Sequence, residues 1–220
     1  MATASTHKDT NPRQRVPAAE RRDALIDAAV REFARTGLHG TPVDRIARRV
    51  GVAQPYVFSL FPNKRELFLA AVERSFELTA ETFTRAAAEY DPAIALPDAD
   101  VLGAMGKAYV ELLPSHRDYL MLEHQAYAAC DDAVIRDRVR ACYARLVAHV
   151  EELSGAEPER IDEFFRYGMW LNVAAAIGAE DLSAASDWIR AEPRDSTAGV
   201  PGSGLEVEDC VGQPFGFLDP

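Results

Sequence analysis

The most informative segment of the chain covers residues 41–64, which read TPVDRIARRVGVAQPYVFSLFPNK. Thr41 is a suitable helix N-cap, and Asp44 stands three residues later, where a reciprocal cap would lie. Gly51 can adopt the positive φ that ends a helix, and a second short helix is expected over residues 54–61, before Pro62. The segment therefore predicts a helix-turn-helix hinged at Gly51.

The second helix of this segment has the size and side chains of a helix that reads DNA. A helix of this length fits the major groove and presents its first residues to base edges. Gln54 can form two hydrogen bonds with adenine, and Tyr56 can contact a thymine methyl group or a phosphate. Pro55 fits only in the first turn, where its missing N–H costs nothing.

The order of residues between Arg22 and Val72 resembles the TetR family of one-component bacterial repressors. That resemblance implies an N-terminal helix, a helix-turn-helix and a long connecting helix, followed by a helical domain that binds an effector and forms a homodimer. The residues that carry the resemblance are Ala28, Ala29, Phe33, Gly37, Gly40, Thr41, Ile46, Ala47, Gly51, Val52, Phe61, Lys64, Leu67 and Phe68.

Two residues depart from the family pattern. The family usually has Ser or Thr as the cap of the recognition helix, where this chain has Ala53, and Tyr where it has Phe58. Ala53 cannot cap, and Phe58 has no hydroxyl for a phosphate. Each loss costs about 1 kcal/mol, which weakens DNA binding without abolishing it. Tyr56 is the candidate to replace the missing hydroxyl.

The residues expected at DNA lie in the helix-turn-helix and in a basic arm at residues 1–17. Arg45, Arg48 and Arg49 face either phosphates or solvent, and Lys64 is assigned to a phosphate. The predicted set comprises Thr41, Arg45, Gln54, Pro55, Tyr56, Phe58, Ser59 and Lys64, with Arg13 and Arg15 of the arm.

Charge is divided unevenly along the chain. The whole chain carries a net charge of −11, which by itself argues against nucleic acid as a partner. Residues 1–75, however, hold 13 Lys or Arg against 8 Asp or Glu, a net of +5, which leaves −16 for the remainder. The positive charge therefore accompanies the helix-turn-helix.

Composition and length favour a helical protein of the cytoplasm. The three cysteines, Cys130, Cys142 and Cys210, are too few and too scattered for a disulfide framework or a zinc site. The sequence contains neither a signal peptide nor an apolar run of about 20 residues, so no membrane association is expected.

Apolar periodicity predicts an all-α protein. Helices are expected over residues 18–35, 64–89, 101–113, 117–130, 132–154 and 158–178, with a short segment at 182–190. The predicted organisation is an arm at 1–17, a DNA-binding domain at 18–75, a ligand-binding and dimerisation domain at 76–192, and a disordered acidic tail at 193–220.

The helices at 132–154 and 158–178 carry more apolar surface than one partner helix needs. In TetR-like repressors the last two long helices pair with their copies across a two-fold axis. We therefore expect a homodimer, although filling of the monomer core is the alternative. The predicted interface consists of Val139, Tyr143, Leu146, Phe165, Gly168, Asn172, Ala175 and Ala176.

An effector site is expected on the helix at 117–130, which lines the ligand cavity in TetR-like proteins. Its mixture of apolar, aromatic and polar side chains suits a small, largely apolar ligand and requires no cofactor. Packing in the core is the competing interpretation. The predicted ligand-binding residues are Tyr109, Met121, His124, Gln125, Phe165, Met169 and Asn172.

The predicted function is a ligand-responsive repressor that binds a near-palindromic double-stranded DNA operator. No catalytic constellation, metal site or glycine-rich phosphate loop is recognisable, so no enzyme activity is expected. The alternative is a ligand-sequestering or protein-interaction module with a weakened DNA-reading head, for which Ala53 and Phe58 are the argument.

Overall fold

The computed structural model describes residues 17–93 and 100–179. Three predictions lie outside these ranges: the arm with Arg13 and Arg15, the short helix at 182–190, and the tail at 193–220. All described residues belong to one unit. The predicted boundary after residue 75 falls inside a continuous helix, so the domain division stays a prediction.

Within the described ranges the chain forms eight helices and no strand, which confirms the all-α prediction. They are α1 (Ala18–Gly40), α2 (Val43–Val50), α3 (Gln54–Leu60), α4 (Lys64–Glu89), α5 (Val101–Ser115), α6 (Arg117–Ala128), α7 (Ala133–Ser154) and α8 (Pro158–Ile177). None of them is long and apolar enough to cross a membrane.

Side-chain caps explain where several helices begin. The side chains of Asn63, Asp100 and Asp132 accept hydrogen bonds from backbone N–H groups in the first turns of α4, α5 and α7. The predicted bounds of α4 are correct. The predicted end of α5 is wrong, because the helix continues through Pro114 to Ser115. A proline in the last turn removes only one intrahelical hydrogen bond.

α1 is interrupted at Gly37, two residues after its predicted end. Gly37 has φ +65° and ψ −176°, a non-helical conformation, and the kink at this residue joins the main part of α1 to a short helical stretch that ends at Gly40. A Cβ at Gly37 would overlap the side-chain oxygen of Gln125 in α6. The missing side chain therefore serves two purposes: it permits the left-handed backbone and lets α6 approach.

The N-cap prediction for Thr41 is wrong. Pro42 precedes α2 with extended backbone, and α2 has no side-chain cap. The Thr41 hydroxyl instead donates to the carbonyl of Gly37 at 2.7 Å, so it satisfies an orphan carbonyl at the end of α1. Asp44 forms an ion pair with Arg48 on the next turn. The predicted C-terminal glycine is confirmed, because Gly51 has φ +75°.

Helices α1 and α4 organise the core. α1 packs against α6, α4 and α2, while α4 packs against α5, α6 and α7. Phe33 of α1 and Phe68 of α4 are fully buried and meet edge to face with ring centroids 5.1 Å apart. Because α4 belongs both to this contact and to the packing of α5 and α7, it connects the helix-turn-helix with the rest of the described chain.

Candidate functional site

The recognition helix α3 is held by one side chain and leaves its opposite face open. Val57 is 1% exposed and anchors α3 to the core, whereas Gln54, Pro55, Phe58 and Ser59 are exposed. These four residues lie at i, i+1, i+4 and i+5, so they share one face of the helix. As expected, Ala53 precedes α3 without a side-chain cap. The structure therefore brings together four of the residues predicted at DNA.

Tyr56 is not part of this open face. Its side chain is half-buried, and the guanidinium of Arg21 lies over its ring, 5.8 Å from the centroid. Arg22 takes a similar position over Phe61, at 4.9 Å. The sequence interpretation overlooked this arginine pair, although two adjacent basic residues at the start of α1 were a visible signal. Both arginines flank the recognition helix.

The arginines of α2 are bound to carboxylates within the helix-turn-helix. Glu32 of α1 is 2% exposed, and its Oε1 accepts hydrogen bonds from Nε and Nη2 of Arg49 at 2.9 and 2.6 Å. Arg45 lies 3.6 Å from the other carboxylate oxygen, and Arg48 pairs with Asp44 at 2.5 Å. The three arginine side chains remain 40–74% exposed, so each retains surface toward solvent.

Two residues predicted at DNA make contacts inside the protein. Thr41 is completely buried, and its hydroxyl also lies 2.7 Å from that of Thr36, so no part of it reaches a ligand outside the chain. The Lys64 ammonium donates to the carbonyl of His39 at 3.1 Å, and partial burial lowers the pKa of Lys64. Both side chains hold the end of α1 against the neighbouring helices.

A cavity lies between α4, α5, α6, α7 and α8. Its volume is about 50 Å³. Its walls are mostly aromatic and aliphatic, and they are formed by Phe76, Thr79, Phe83, Gly106, Tyr109, Glu123, Tyr127, Tyr143, Leu146, Phe164, Phe165, Tyr167, Gly168, Met169, Leu171 and Asn172. Apolar walls with few polar groups are typical of small-molecule sites.

One carboxylate faces this cavity. Glu123 of α6 is 7% exposed, and its Oε2 accepts hydrogen bonds from Asn172 Nδ2 and the Tyr127 hydroxyl, both at 3.5 Å. The hydroxyl of Tyr109 donates to Oδ1 of the same Asn172. Burial raises the pKa of Glu123 to about 7, while the hydrogen bond from Tyr127 acts in the opposite direction. Burial also raises the pKa values of Tyr109 and Tyr127.

The predicted ligand-binding set divides into two groups. Four of its members line the cavity: Tyr109, Phe165, Met169 and Asn172. Met121, His124 and Gln125 lie on other faces of α6 and do not line it, and their role at a ligand stays a prediction. The Nε2 of His124 donates to the carbonyl oxygen of Asn172 at 3.1 Å, and Gln125 lies against Gly37. Periodicity identified the helix but not which of its faces meets the cavity.

The predicted dimer interface is also divided. Val139, Leu146 and Asn172 are 4–7% exposed and pack in the core of the single chain, so their part in a dimer interface stays a prediction. The other members, Tyr143, Phe165, Gly168, Ala175 and Ala176, are half-buried. Val173 and Ile177 of α8, which the prediction omitted, are 43% and 70% exposed. Among the described residues of these two helices, α8 thus exposes more large apolar side chains than α7, which exposes Val134 in its first turn.

The described residues include no metal-binding cluster. No three His, Cys, Asp or Glu side chains within residues 17–93 and 100–179 come together in a way that could hold a metal ion. Cys130 and Cys142 are both free thiols. The polar group that distinguishes the cavity is therefore Glu123 with its neutral partners.

Comparison with protein families matches the helix-turn-helix region. Residues 25–71 match the model of bacterial regulatory proteins, tetR family. The HTH-type transcriptional activator FasR of Mycolicibacterium smegmatis is 42% identical over 60 residues, which cover 27% of this chain and 27% of FasR. The HTH-type transcriptional regulator RutR of Escherichia coli is 27% identical over 118 residues, covering 53% of this chain and 50% of RutR. The matches thus span half or less of these relatives.

Similarity to a solved structure extends over most of the fold. The transcriptional regulator FadR from Bacillus subtilis, solved in complex with stearoyl-CoA, superposes with a TM-score of 0.59 at 14% sequence identity. The alignment covers 76% of this chain and 94% of that structure. At this identity the similarity concerns the fold alone, which includes a helical region beyond the helix-turn-helix.

Proposed function

The chain belongs to the TetR family of bacterial transcriptional regulators, and we propose that it is a repressor released from a near-palindromic operator by a small effector. The observation that carries this proposal is that one helix serves both sites. Lys64 at the start of α4 contacts the end of α1, while Phe76, Thr79 and Phe83 of the same helix line the cavity. A ligand that changes the shape of the cavity therefore acts on α4, the same helix that supports the helix-turn-helix.

The open face of α3 supports sequence-specific DNA binding. Gln54 has the amide that pairs with adenine, and the exposed Phe58 ring is suited to a thymine methyl group. Arg45, Arg48 and Arg49 of α2 keep exposed guanidinium surface for phosphates, and Arg22 beside α3 is also exposed. Base contacts would then come from α3 and phosphate contacts from its surroundings.

In a homodimer, the second copy of α3 would bind the second half-site of the operator. Val173 and Ile177 are one turn apart on α8, and the small residue Ala176 lies beside them, so a second copy of α8 can approach closely. We place the dimer contact on this surface of α8 rather than on the buried stripe of α7. Light scattering at micromolar concentration should give twice the chain mass, and Ile177→Asp should shift the protein toward monomer.

Helix α6 offers a second route between the two sites. Glu123 and Tyr127 face the cavity, while Gln125 on another side of the helix contacts Gly37 in α1. Rotation or displacement of α6 therefore changes the contact at Gly37, next to the carbonyl that Thr41 binds. In a dimer such a change separates the two recognition helices, and an effector that favours the separated state shifts the population away from DNA.

The chemistry of the cavity supports a largely apolar effector. Its walls contain eight Phe or Tyr side chains, and the related fold of FadR is known with stearoyl-CoA. A volume of about 50 Å³ is well below the roughly 300–1,000 Å³ of typical ligand pockets. Effector binding must therefore displace wall side chains such as Phe165 and Met169, which couples binding to conformation.

The proposal is tested by selecting bound sequences from a random DNA pool and then measuring affinity for the selected site. Gln54→Ala should weaken binding about tenfold and relax preference at one position in each half-site. Arg48→Ala should weaken binding to all DNA sequences. It should also reduce the slope of log affinity against log salt concentration by about one. Arg140→Ala, at an exposed site on α7, is the matched arginine control and should change neither property.

A folded dimer that binds no DNA at low salt would overturn the repressor proposal. That result would favour the alternative of a ligand-sequestering or protein-interaction module. Equal effects of Arg48→Ala and Arg140→Ala would instead show that α2 lies away from the phosphates.

A further inference from the structure

We infer that the effector carries a positive charge and is a small lipophilic cation, such as an ammonium group bearing aromatic or alkyl substituents, held beside the Glu123 carboxylate. This inference rests on the proposed effector function and specifies the chemistry of the ligand. It is drawn from three features of the cavity: a buried carboxylate, the absence of a cation among its described neighbours, and a continuous set of aromatic rings.

The carboxylate of Glu123 is buried without a positively charged partner. It is the one charged side chain among the described residues that line the cavity. None of the ion pairs formed between described residues includes it. Its two hydrogen bonds, from Asn172 and Tyr127, are 3.5 Å long and therefore weak. A carboxylate has about four acceptor positions, so capacity for a stronger donor remains.

Burying a carboxylate without a cationic partner lowers the stability of the folded protein, and proteins rarely contain such a group unless it has a function. The apolar walls disfavour the charged form, which agrees with the upward shift of the Glu123 pKa. A bound cation removes this penalty and gains from the low dielectric of the cavity. A bound carboxylate or phosphate would add a second negative charge and increase the penalty. The site thus discriminates by the sign of the ligand charge.

Aromatic rings surround the same space. Ring contacts run from Tyr109 to Phe83 at 5.9 Å, from Phe83 to Phe164 at 5.5 Å, and from Phe164 to Phe165 at 5.4 Å. Tyr143 continues the series, 5.4 Å from Phe165. The faces of such rings attract cations, and quaternary ammonium groups bind in cages of this kind. An aromatic wall with one carboxylate suits an apolar cation better than a neutral hydrocarbon.

The test compares two probes of the same shape. Phenyltrimethylammonium and tert-butylbenzene differ only in whether a nitrogen cation or a neutral carbon occupies the branching centre. Binding of each is measured by titration calorimetry on the full chain at pH 8. We expect the wild-type protein to bind the cation at least tenfold more tightly, which corresponds to about 1.4 kcal/mol or more.

Two variants locate the effect. Glu123→Gln keeps the shape of the side chain and should bring the two probes to nearly equal affinity. Glu81→Gln, at an exposed position on α4, is the matched control and should preserve the wild-type ratio. Circular dichroism establishes that each variant is folded. If tert-butylbenzene binds wild type as tightly as the cation does, or if Glu123→Gln leaves the preference intact, the inference is wrong.

The pH dependence provides an independent readout, since phenyltrimethylammonium has no titratable group. Its affinity should increase from pH 6 to pH 8 as Glu123 loses its proton, and this increase should be absent in Glu123→Gln. The polar groups that share the cavity with Glu123 remain neutral over that range: Thr79 of α4, Tyr109 of α5, Tyr127 of α6, Tyr143 of α7 and Asn172 of α8. His116 and Tyr119 line a neighbouring cavity together with Glu123. His124 is adjacent in sequence but donates to the Asn172 carbonyl.

Failure of this inference is distinct from failure of the repressor proposal. If neither probe binds, the cation inference is overturned. Binding to the selected operator, measured on the same preparation, then decides separately whether the protein is a DNA-binding regulator. If tert-butylbenzene alone binds, the effector is neutral and apolar, and the proposed function stands.

Discussion

Glu32 and Glu123 are both buried glutamates, but the helix-turn-helix and the cavity treat them in opposite ways. Glu32 is 2% exposed and pairs with Arg49 at 2.6 Å and Arg45 at 3.6 Å. Glu123 is 7% exposed and has only an amide and a hydroxyl, each at 3.5 Å. The charge of Glu32 is neutralised by arginine side chains of the helix-turn-helix. The charge of Glu123 has no cationic partner among the described residues, so a bound ligand can supply one.

The difference separates a structural role from a binding role. Two arginines that share one carboxylate fix α2 against α1, so the recognition helix is presented in a constant position. A carboxylate without a cation stabilises nothing and lowers stability once it is ionised. Such a group is understandable where a ligand supplies the missing charge.

The largest effect is expected from Arg49→Met, which leaves Glu32 buried with only the distant Arg45. Removing one member of a buried pair costs about 3 kcal/mol, so the urea midpoint should fall clearly. Arg48→Met is the control from the same helix, because its ion pair with Asp44 lies at the surface. It should change the free energy of unfolding by less than about 0.5 kcal/mol. Equal losses in the free energy of unfolding for Arg49→Met and Arg48→Met would mean that the buried ion pair of Glu32 has no special structural role.

Glu123→Gln should act in the opposite direction and stabilise the protein. The folded-state pKa of about 7 lies above the usual value of about 4.3 for an unfolded chain. A raised pKa stabilises the fold below the unfolded value, and this contribution is lost as pH rises through 7. The variant should therefore gain a few kcal/mol at pH 8 and progressively less toward pH 5.

Urea denaturation at both pH values, at one protein concentration, measures that gain. Glu81→Gln should show no pH-dependent difference from wild type, since its side chain is exposed. A destabilising effect of Glu123→Gln at pH 8 would mean that the ionised carboxylate of Glu123 stabilises the fold. The proposed contrast with Glu32 would then be wrong.

The smallest effect is expected from Thr41→Val, which removes the hydrogen bond to Gly37 and keeps the shape of the side chain. The carbonyl of Gly37 then loses its 2.7 Å donor, at a cost of about 1 kcal/mol. Thr36→Val is the control, because the Thr36 side chain is more exposed and its remaining contact, to Glu32 O, is 3.4 Å long. Thermal unfolding should rank Thr41→Val as the less stable of the two variants.

Local patterns predicted the helices well and their side-chain partners poorly. The bounds of α4 and the hinge at Gly51 were both readable, because each depends on residues within one or two turns. The role of Thr41 was not readable, since its acceptor belongs to the preceding helix. The same limit applied to Tyr56, whose ring meets Arg21, 35 positions earlier in the chain.

The candidate cavity shows the same division. Periodicity identified α6 and α8 and four of the cavity residues, including Tyr109 and Asn172. It assigned the polar role to His124 and Gln125, whereas Glu123 of the same helix is the group that faces the cavity. Neighbouring residues on a helix differ by about 100° in direction, and only the position of the surrounding helices decides which of them points inward.

The sequence by itself determined that this protein is helical, where its helix-turn-helix lies, and that basic charge accompanies it. These properties follow from propensity, periodicity and composition, which act over short distances along the chain. Only the tertiary structure decided that Glu32 meets Arg49 from 17 positions away and that Glu123 meets Asn172 from 49. Whether a buried charge is paired depends on which helices pack together, and that choice is made by the whole core at once.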